Sequence, residues 1–211
     1  TNTYNSILSA ISSGRNRIVD IADYIHADRT KVAKYLTILQ NLRLVEKRVP
    51  CGESLKSKKS IYVIKDNFLK FWFRYEFTNN TYYSILGPKD AANEIMNDIS
   101  NFMGDAFEEI CKEYMIRQAK QRKLPFIPFY IGKWWGTNPF LKAQDNVNVL
   151  VLDRTQTKAI FIECKFTSNP MPMEEYTDLL NAAKAFPKIK EKHLCFISKS
   201  GFTEPVKNKR I

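Results

Sequence analysis

Asn146-Val147-Asn148-Val149-Leu150-Val151-Leu152, a polar turn from Asp153 to Lys158, and Ala159-Ile160-Phe161-Ile162-Glu163-Cys164-Lys165-Phe166 decide the fold. Two apolar, largely β-branched runs on either side of a short polar turn read as an antiparallel hairpin. Pairing Asp153 with Lys158 sets Asn148 opposite Glu163. Side chains alternate along a strand, so Glu163 and Lys165 share a face, and Asn148 joins them. Two charges and an amide on an otherwise apolar strand must be paired, solvated or functional. The same alternation aims Asp145 at the other face. It leaves Asp153 at the turn, about 17 Å away at ~3.4 Å per residue.

Downstream, Asn169-Pro170-Met171-Pro172 breaks the chain. Met173 to Ala185 reads as a helix with Leu179, Leu180 and Ala183 inward, and His193 to Ser198 as a further strand. Strand, helix, strand predicts a right-handed crossover onto a parallel neighbour. His193 has no Cys or His partner in the pattern and is assigned no metal. Upstream, Ala91 to Arg122 is helical in pattern, with a break expected near Gly104. Phe107, Cys111, Met115 and Ala119 recur at helical spacing, which places Glu108 beside an apolar stripe and Glu109 on the wetter side. A carboxylate at a core edge needs a reason. Lys123 to Gly136, with its Trp134-Trp135 pair, is assigned no helix or strand.

The first third reads differently. Tyr4, Ile7, Leu8 and Ile11 mark one helical face that Gly14 stops, and Ile18, Ile21, Ala22 and Ile25 mark a second, shorter helix. Asp28 is the expected N-cap of a third helix running to about Asn41, with Val32, Ala33, Leu36 and Leu39 inward. Leu44–Val49 and Ser60–Ile64 read as two strands around a Lys-rich loop from Pro50 to Lys59. Three helices and a two-stranded ribbon is the winged-helix order. In that arrangement the third helix offers Arg29, Thr30, Lys31 and Lys34 to a DNA groove, and Lys56, Lys58 and Lys59 on the wing meet phosphates. Asn67 to Phe77, with five Phe or Trp, is expected to be a buried helix clamping two domains, and Thr78 to Asp90 a turn-rich boundary. The expected domains are residues 1–66, an aromatic helical connector over 67–97, and 98–211.

Composition narrows the function classes. The 211 residues carry a formal net charge of +11, which favours anionic partners and DNA first. The excess is spread out: residues 1–66 hold 12 Lys/Arg against 6 Asp/Glu. The four cysteines form no C-x-x-C pair and only two histidines exist, which argues against a zinc site or a disulfide framework. Cys111, Cys164 and Cys195 lie in apolar segments, as buried reduced thiols do. No apolar run reaches the ~20 residues that span a bilayer. No signal-peptide pattern opens the chain. The expectation is a cytoplasmic protein without membrane partners, or a piece of a longer one.

Metal-dependent nucleases give the charged cluster a use. Two carboxylates hold Mg²⁺, which polarises the scissile phosphate, while a lysine nearby stabilises the attacking water or helps deprotonate it. Glu163-Cys164-Lys165 after a hairpin, with Glu108 upstream on a helix, resembles the PD-(D/E)XK nuclease superfamily. The wider pattern is Phe68-Leu69-Lys70-Phe71-Trp72-Phe73-Arg74, Gly104, Phe107-Glu108, Gly132-Lys133-Trp134-Trp135-Gly136, Glu163-Cys164-Lys165 and Ser198-Lys199-Ser200-Gly201-Phe202. It is similar to the C-terminal region of archaeal and bacterial AAA-type ATPases, where a winged helix precedes a nuclease-like domain, DUF234. The resemblance implies an α/β (α+β) architecture: an N-terminal winged helix, then a restriction-endonuclease-like mixed sheet. It also implies an ATPase domain before Thr1 as a partner, since no G-x-x-x-x-G-K-[ST] occurs in this chain.

The departure from the family pattern matters as much. Where the family has an acidic pair, roughly Glu-Ile-Asp, this sequence has Asn146-Val147-Asn148. The metal-binding Asp position is then Asn148, whose amide brings no charge. The candidate catalytic set is Glu108, Asn148, Glu163 and Lys165. Its metal ligands would be Glu108, Asn148 and Glu163, with Mg²⁺ the only cofactor implied. The expectation is a DNA-binding or regulatory region that keeps the nuclease-like fold without catalysis. An active Mg²⁺-dependent endonuclease and a protein-docking scaffold are the alternatives.

Overall fold

The computed structural model describes residues 3–209. The chain divides into two compact units: residues 1–49 with 54–99, and residues 50–53 with 100–211.

In the first unit, α1 (Thr3–Ser12), α2 (Ile18–Tyr24) and α3 (Arg29–Asn41) precede an antiparallel ribbon of β1 (Val45–Arg48) and β2 (Ile61–Ile64), paired from Val45↔Ile64 to Arg48↔Ile61. Their apolar faces close on one core containing Ile7, Ile21, Val32, Leu36, Leu39 and Val45. Asp28 caps α3, its Oδ1 accepting from the amides of Thr30 at 2.7 Å and Lys31 at 3.3 Å. That satisfies two of the donors a helix start leaves open. The cap holds the Asp28 carboxyl below its usual pKa.

The aromatic segment corrects an expectation. It forms α4 (Asn67–Phe71), five residues of π-helix (Trp72–Glu76) and α5 (Phe77–Leu86), all within the first unit. Phe73 is buried in this unit's core with Phe77 packed beside it, whereas Phe68 is 69% exposed. The segment is therefore amphipathic and not buried all round. The expected turn-rich boundary over 78–90 is also helical, interrupted only at Gly87, whose φ of +84° suits a residue without Cβ. From there α6 (Pro88–Lys120) runs unbroken for 33 residues, giving 88–99 to the first unit and the remainder to the second. Gly104 does not break it, because one helical glycine costs only about 1 kcal/mol against alanine.

The second unit holds a four-stranded sheet in the order β3 (Tyr130–Asn138), β4 (Ala143–Leu152), β5 (Lys158–Lys165) and β6 (Glu191–Ser198). The first three strands are antiparallel and β6 runs parallel to β5 after α7 (Met173–Lys184); α8 (Glu204–Lys207) follows. Fold class is thus mixed helix and sheet, as expected. Register follows the expected hairpin from Val149↔Ile162 through Leu152↔Ala159, but the ladder stops short of the expected Asn148–Glu163 pair. One sheet face packs Leu150, Leu152 and Phe161 against Leu179, Ala182 and Ala183 of α7. The other packs Val149, Val151 and Ile162 against Cys111 and Met115 of α6. Leu180, expected inward, is 41% exposed, and Ala182 takes the inward place.

Two features were not expected. Tyr130–Asn138, most of which the sequence left unassigned, is the edge strand β3. Its ladder with β4 shifts between Gly132↔Leu150 and Trp134↔Val147, so two residues of β4, Asn148 and Val149, face the single Lys133. This bulge reverses the alternation beyond it. Val147 accordingly joins the face of Leu150 and Leu152. Residues 50–53, expected to start the wing loop, belong to the second unit. Cys51 N donates to Lys133 O at 2.8 Å, its Sγ to Leu150 O at 3.2 Å, and Gln156 Nε2 to Gly52 O at 3.1 Å. Burial pushes the Cys51 thiol up to about 12. Among the described residues no helix is long and apolar enough to cross a membrane.

Candidate functional site

The second unit gathers its charged side chains where the β4–β5 ladder opens beyond Val149↔Ile162. The bulge frees Asn148 there. Its Oδ1 accepts the Cys164 amide N–H at 3.1 Å, and its Nδ2 donates to Glu108 Oε1 at 2.7 Å. Glu108 comes from α6. Both of its oxygens also accept from Lys133 Nζ on β3, at 2.9 and 2.6 Å. One carboxylate, one amide and one ammonium thus join α6, β3, β4 and β5.

Glu163 and Lys165 lie alongside. A cavity of about 370 Å³ is lined by Asp145, Asn148, Glu163, Lys165, Glu175 and Asp178, among others. Lys165 Nζ sits 2.7 Å from Glu175 Oε1 of α7 and 3.8 Å from Glu163 Oε1. Burial pushes the Glu163 carboxyl up to about 7; Lys165 opposes the rise, while the charges of Glu175 and Glu108 add to it. Burial pulls Lys165 down, but its hydrogen bond to Glu175 and the surrounding carboxylates outweigh that, so its pKa is raised.

Asn148, Glu163 and Lys165 are therefore brought to one cavity, whereas Glu108 does not line it and meets Asn148 from the α6 side of the sheet. Asp145, expected on the far face, lines the cavity with Glu163 because of the bulge, and its Oδ2 accepts from Asn138 Nδ2 at 2.9 Å. Asp153 stays at the turn. Burial works against its charge, yet the Thr155 hydroxyl and the amides of Lys158, Thr157 and Thr155 hold it down to about 2. Sequence reasoning gave no role to Lys133, Glu175 or Asp178. A lone Lys between Gly132 and Trp134 was the available signal for the first; the other two carry no signal beyond their place on α7.

A divalent cation of the Mg²⁺ type needs oxygen donors not already engaged by protein cations. Here both Glu108 oxygens accept from the Lys133 ammonium, and the Asn148 oxygen accepts from a backbone N–H. Among the described residues, no group of three or more His, Cys, Asp or Glu is placed to hold a metal ion. The donor set present does not fit Mg²⁺.

The other candidates lie in the first unit. Arg29, Thr30, Lys31 and Lys34 are exposed on the first turns of α3, and Lys56, Lys58 and Lys59 are exposed in the segment before β2. The first turn of α3 carries no acidic residue.

A family model described as archaeal and bacterial proteins of unknown function, DUF234, matches residues 72–179, a span that contains Glu108, Lys133, Asn148, Glu163, Lys165 and Glu175. An uncharacterized protein of Methanocaldococcus jannaschii is 35% identical over 164 residues, covering 78% of this chain and 36% of that protein. The chain thus spans about a third of the length of the curated relative it matches. No solved structure matches it. The chain belongs to the DUF234 family of archaeal and bacterial proteins of unknown function.

Proposed function

We propose that this chain is a DNA-binding, regulatory region of a longer protein, in which a nuclease-like domain persists without catalysis. The observation that carries the second half is the pairing of Glu108 with Lys133 and Asn148. An ammonium and an amide hydrogen engage the carboxylate oxygens a nuclease would offer to Mg²⁺. Removing a negative charge at Asn148 and supplying a positive one from Lys133 leaves a cluster that is internally satisfied. Such a cluster serves as a structural joint between four elements rather than as a centre for hydrolysis.

DNA binding rests on the first unit. Three helices and a ribbon match the winged-helix order, and α3 carries exposed Arg29, Thr30, Lys31 and Lys34 at its capped N-terminus. Lys56, Lys58 and Lys59 on the wing segment and the net charge of +11 suit a phosphate backbone. The resemblance of the sequence pattern to C-terminal regions of AAA-type ATPases favours an N-terminal ATPase domain as partner. Four free thiols suit a cytoplasmic setting. The test is duplex binding as a function of salt, with strand scission read in the same samples. Binding that weakens steeply with salt and leaves the strands intact is the expected result. Scission that needs Glu163 overturns it.

A further inference from the structure

Three of the four cysteines converge in the second unit. Cys111 of α6 and Cys164 of β5 are both buried in the core on the α6 side of the sheet, 2% and 7% exposed, and Cys195 of β6 packs against the same cluster. The two thiols are close enough for each to act on the other's ionisation. They differ in their surroundings. Cys111 forms part of the wall of a cavity of about 410 Å³ that Phe107, Ile110, Tyr114, Arg117 and Ile197 also line, whereas Cys164 does not. The cavity is thus a route by which a small neutral solute reaches Cys111, with the second thiol in the same buried cluster behind it.

We propose that Cys111 and Cys164 are a redox-active dithiol that hydrogen peroxide, entering through this cavity, converts to a disulfide joining α6 to β5. The first step forms a bond between Cys111 sulfur and one peroxide oxygen, breaks the O–O bond and releases water, leaving a sulfenic acid. In the second, Cys164 sulfur attacks the Cys111 sulfur, the S–O bond breaks, and hydroxide leaves as water with the Cys164 proton. Two thiols and one peroxide give one disulfide and two waters: both sulfurs are oxidised and both peroxide oxygens reduced. The arrangement of a cavity-lining thiol and a resolving thiol distinguishes this pair from Cys51, which donates to Leu150 O elsewhere in the unit.

The link would lie beside the charged cluster. Cys111 follows Glu108 by one turn of α6, and Cys164 stands between Glu163 and Lys165 with its N–H on Asn148. Dithiol chemistry here is independent of the role of that cluster and of DNA binding.

The experiment exposes the whole chain to hydrogen peroxide and maps its disulfides by proteolysis and mass spectrometry without reductant. The expected result is one linked pair of peptides, those with Cys111 and Cys164, reversed by dithiothreitol, with the free-thiol titre falling from four to two per chain. Cys195→Ser should leave the link intact. Cys164→Ser should instead leave a sulfenic acid on Cys111 that dimedone traps. A link through Cys195 or Cys51, over-oxidation of Cys111 with Cys164 still free, or four unreacted thiols would each overturn the proposal. The mapping on the unsubstituted chain needs no variant to fold.

Discussion

Asn148 donates its amide Nδ2 to Glu108 Oε1 at 2.7 Å, a contact that an ionised aspartate at the same position cannot make. Asn148→Asp replaces this hydrogen bond with a pair of like charges at a site where Glu108 has only 18% of its side chain exposed. We expect the variant to lose about 2 kcal/mol of stability at pH 8. The loss should shrink in acid, where one carboxyl of the pair is protonated. Urea unfolding at both pH values checks this. A variant as stable as the parent at pH 8 would mean the amide is not engaged as described.

Glu163 gives a second pH signature. Its carboxyl titrates near 7 in the folded chain against a usual 4.5. The folded state therefore binds this proton more tightly than the unfolded chain does. Its contribution is favourable below about pH 4.5 and is lost as pH rises through 7. Glu163→Gln removes the titration, while Lys165 keeps its 2.7 Å partner Glu175. The variant should match the parent near pH 4.5 and exceed it by up to about 3 kcal/mol above pH 8. Parallel unfolding curves across that window test it; a constant difference would refute the shift.

Gly52 is held where a side chain does not fit. Its φ is +83°, and a Cβ there would stand 2.8 Å from Leu152 Cδ1. Gly52→Ala should cost about 1–3 kcal/mol through backbone strain and crowding. Thermal unfolding would show a lowered midpoint. Gly14, also at positive φ but with open space around it, separates the two causes: Gly14→Ala should cost less.

On the DNA side, Lys56→Ala, Lys58→Ala and Lys59→Ala combined should weaken binding to all duplex sequences alike. The salt slope should fall by about 1 for each phosphate no longer neutralised. Arg29→Ala should change sequence preference as well as affinity if that side chain reads a base edge. Competition titrations with unrelated duplexes distinguish the two behaviours. A triple variant with undiminished affinity would remove the wing segment from the interface.

The hairpin was legible because its signal is local: a polar turn and two apolar runs fix the register, and the observed pairs agree with it. The Asp28 cap was legible for the same reason. What escaped was set by tertiary context. An extra residue in β4 at Asn148 and Val149 leaves no mark in a run where Val147, Val149, Leu150 and Val151 are all buried, so strict alternation sent Asp145 to the wrong face. Strand β3 contains Gly132 and Gly136, weak strand residues, and owes its shape to its partner β4. Lys133 was hidden with it. The candidate carboxylates could thus be named from sequence, but the ammonium that occupies Glu108 could not.

Binding and cleavage are read together when a labelled duplex is incubated with the whole chain and Mn²⁺ or Mg²⁺ at rising salt, then split between native and denaturing gels. A DNA-binding region without catalysis gives a retarded duplex at low salt, release as salt rises, and full-length strands throughout. Strand scission that Glu163→Ala abolishes, or no retardation even at the lowest salt, would contradict it.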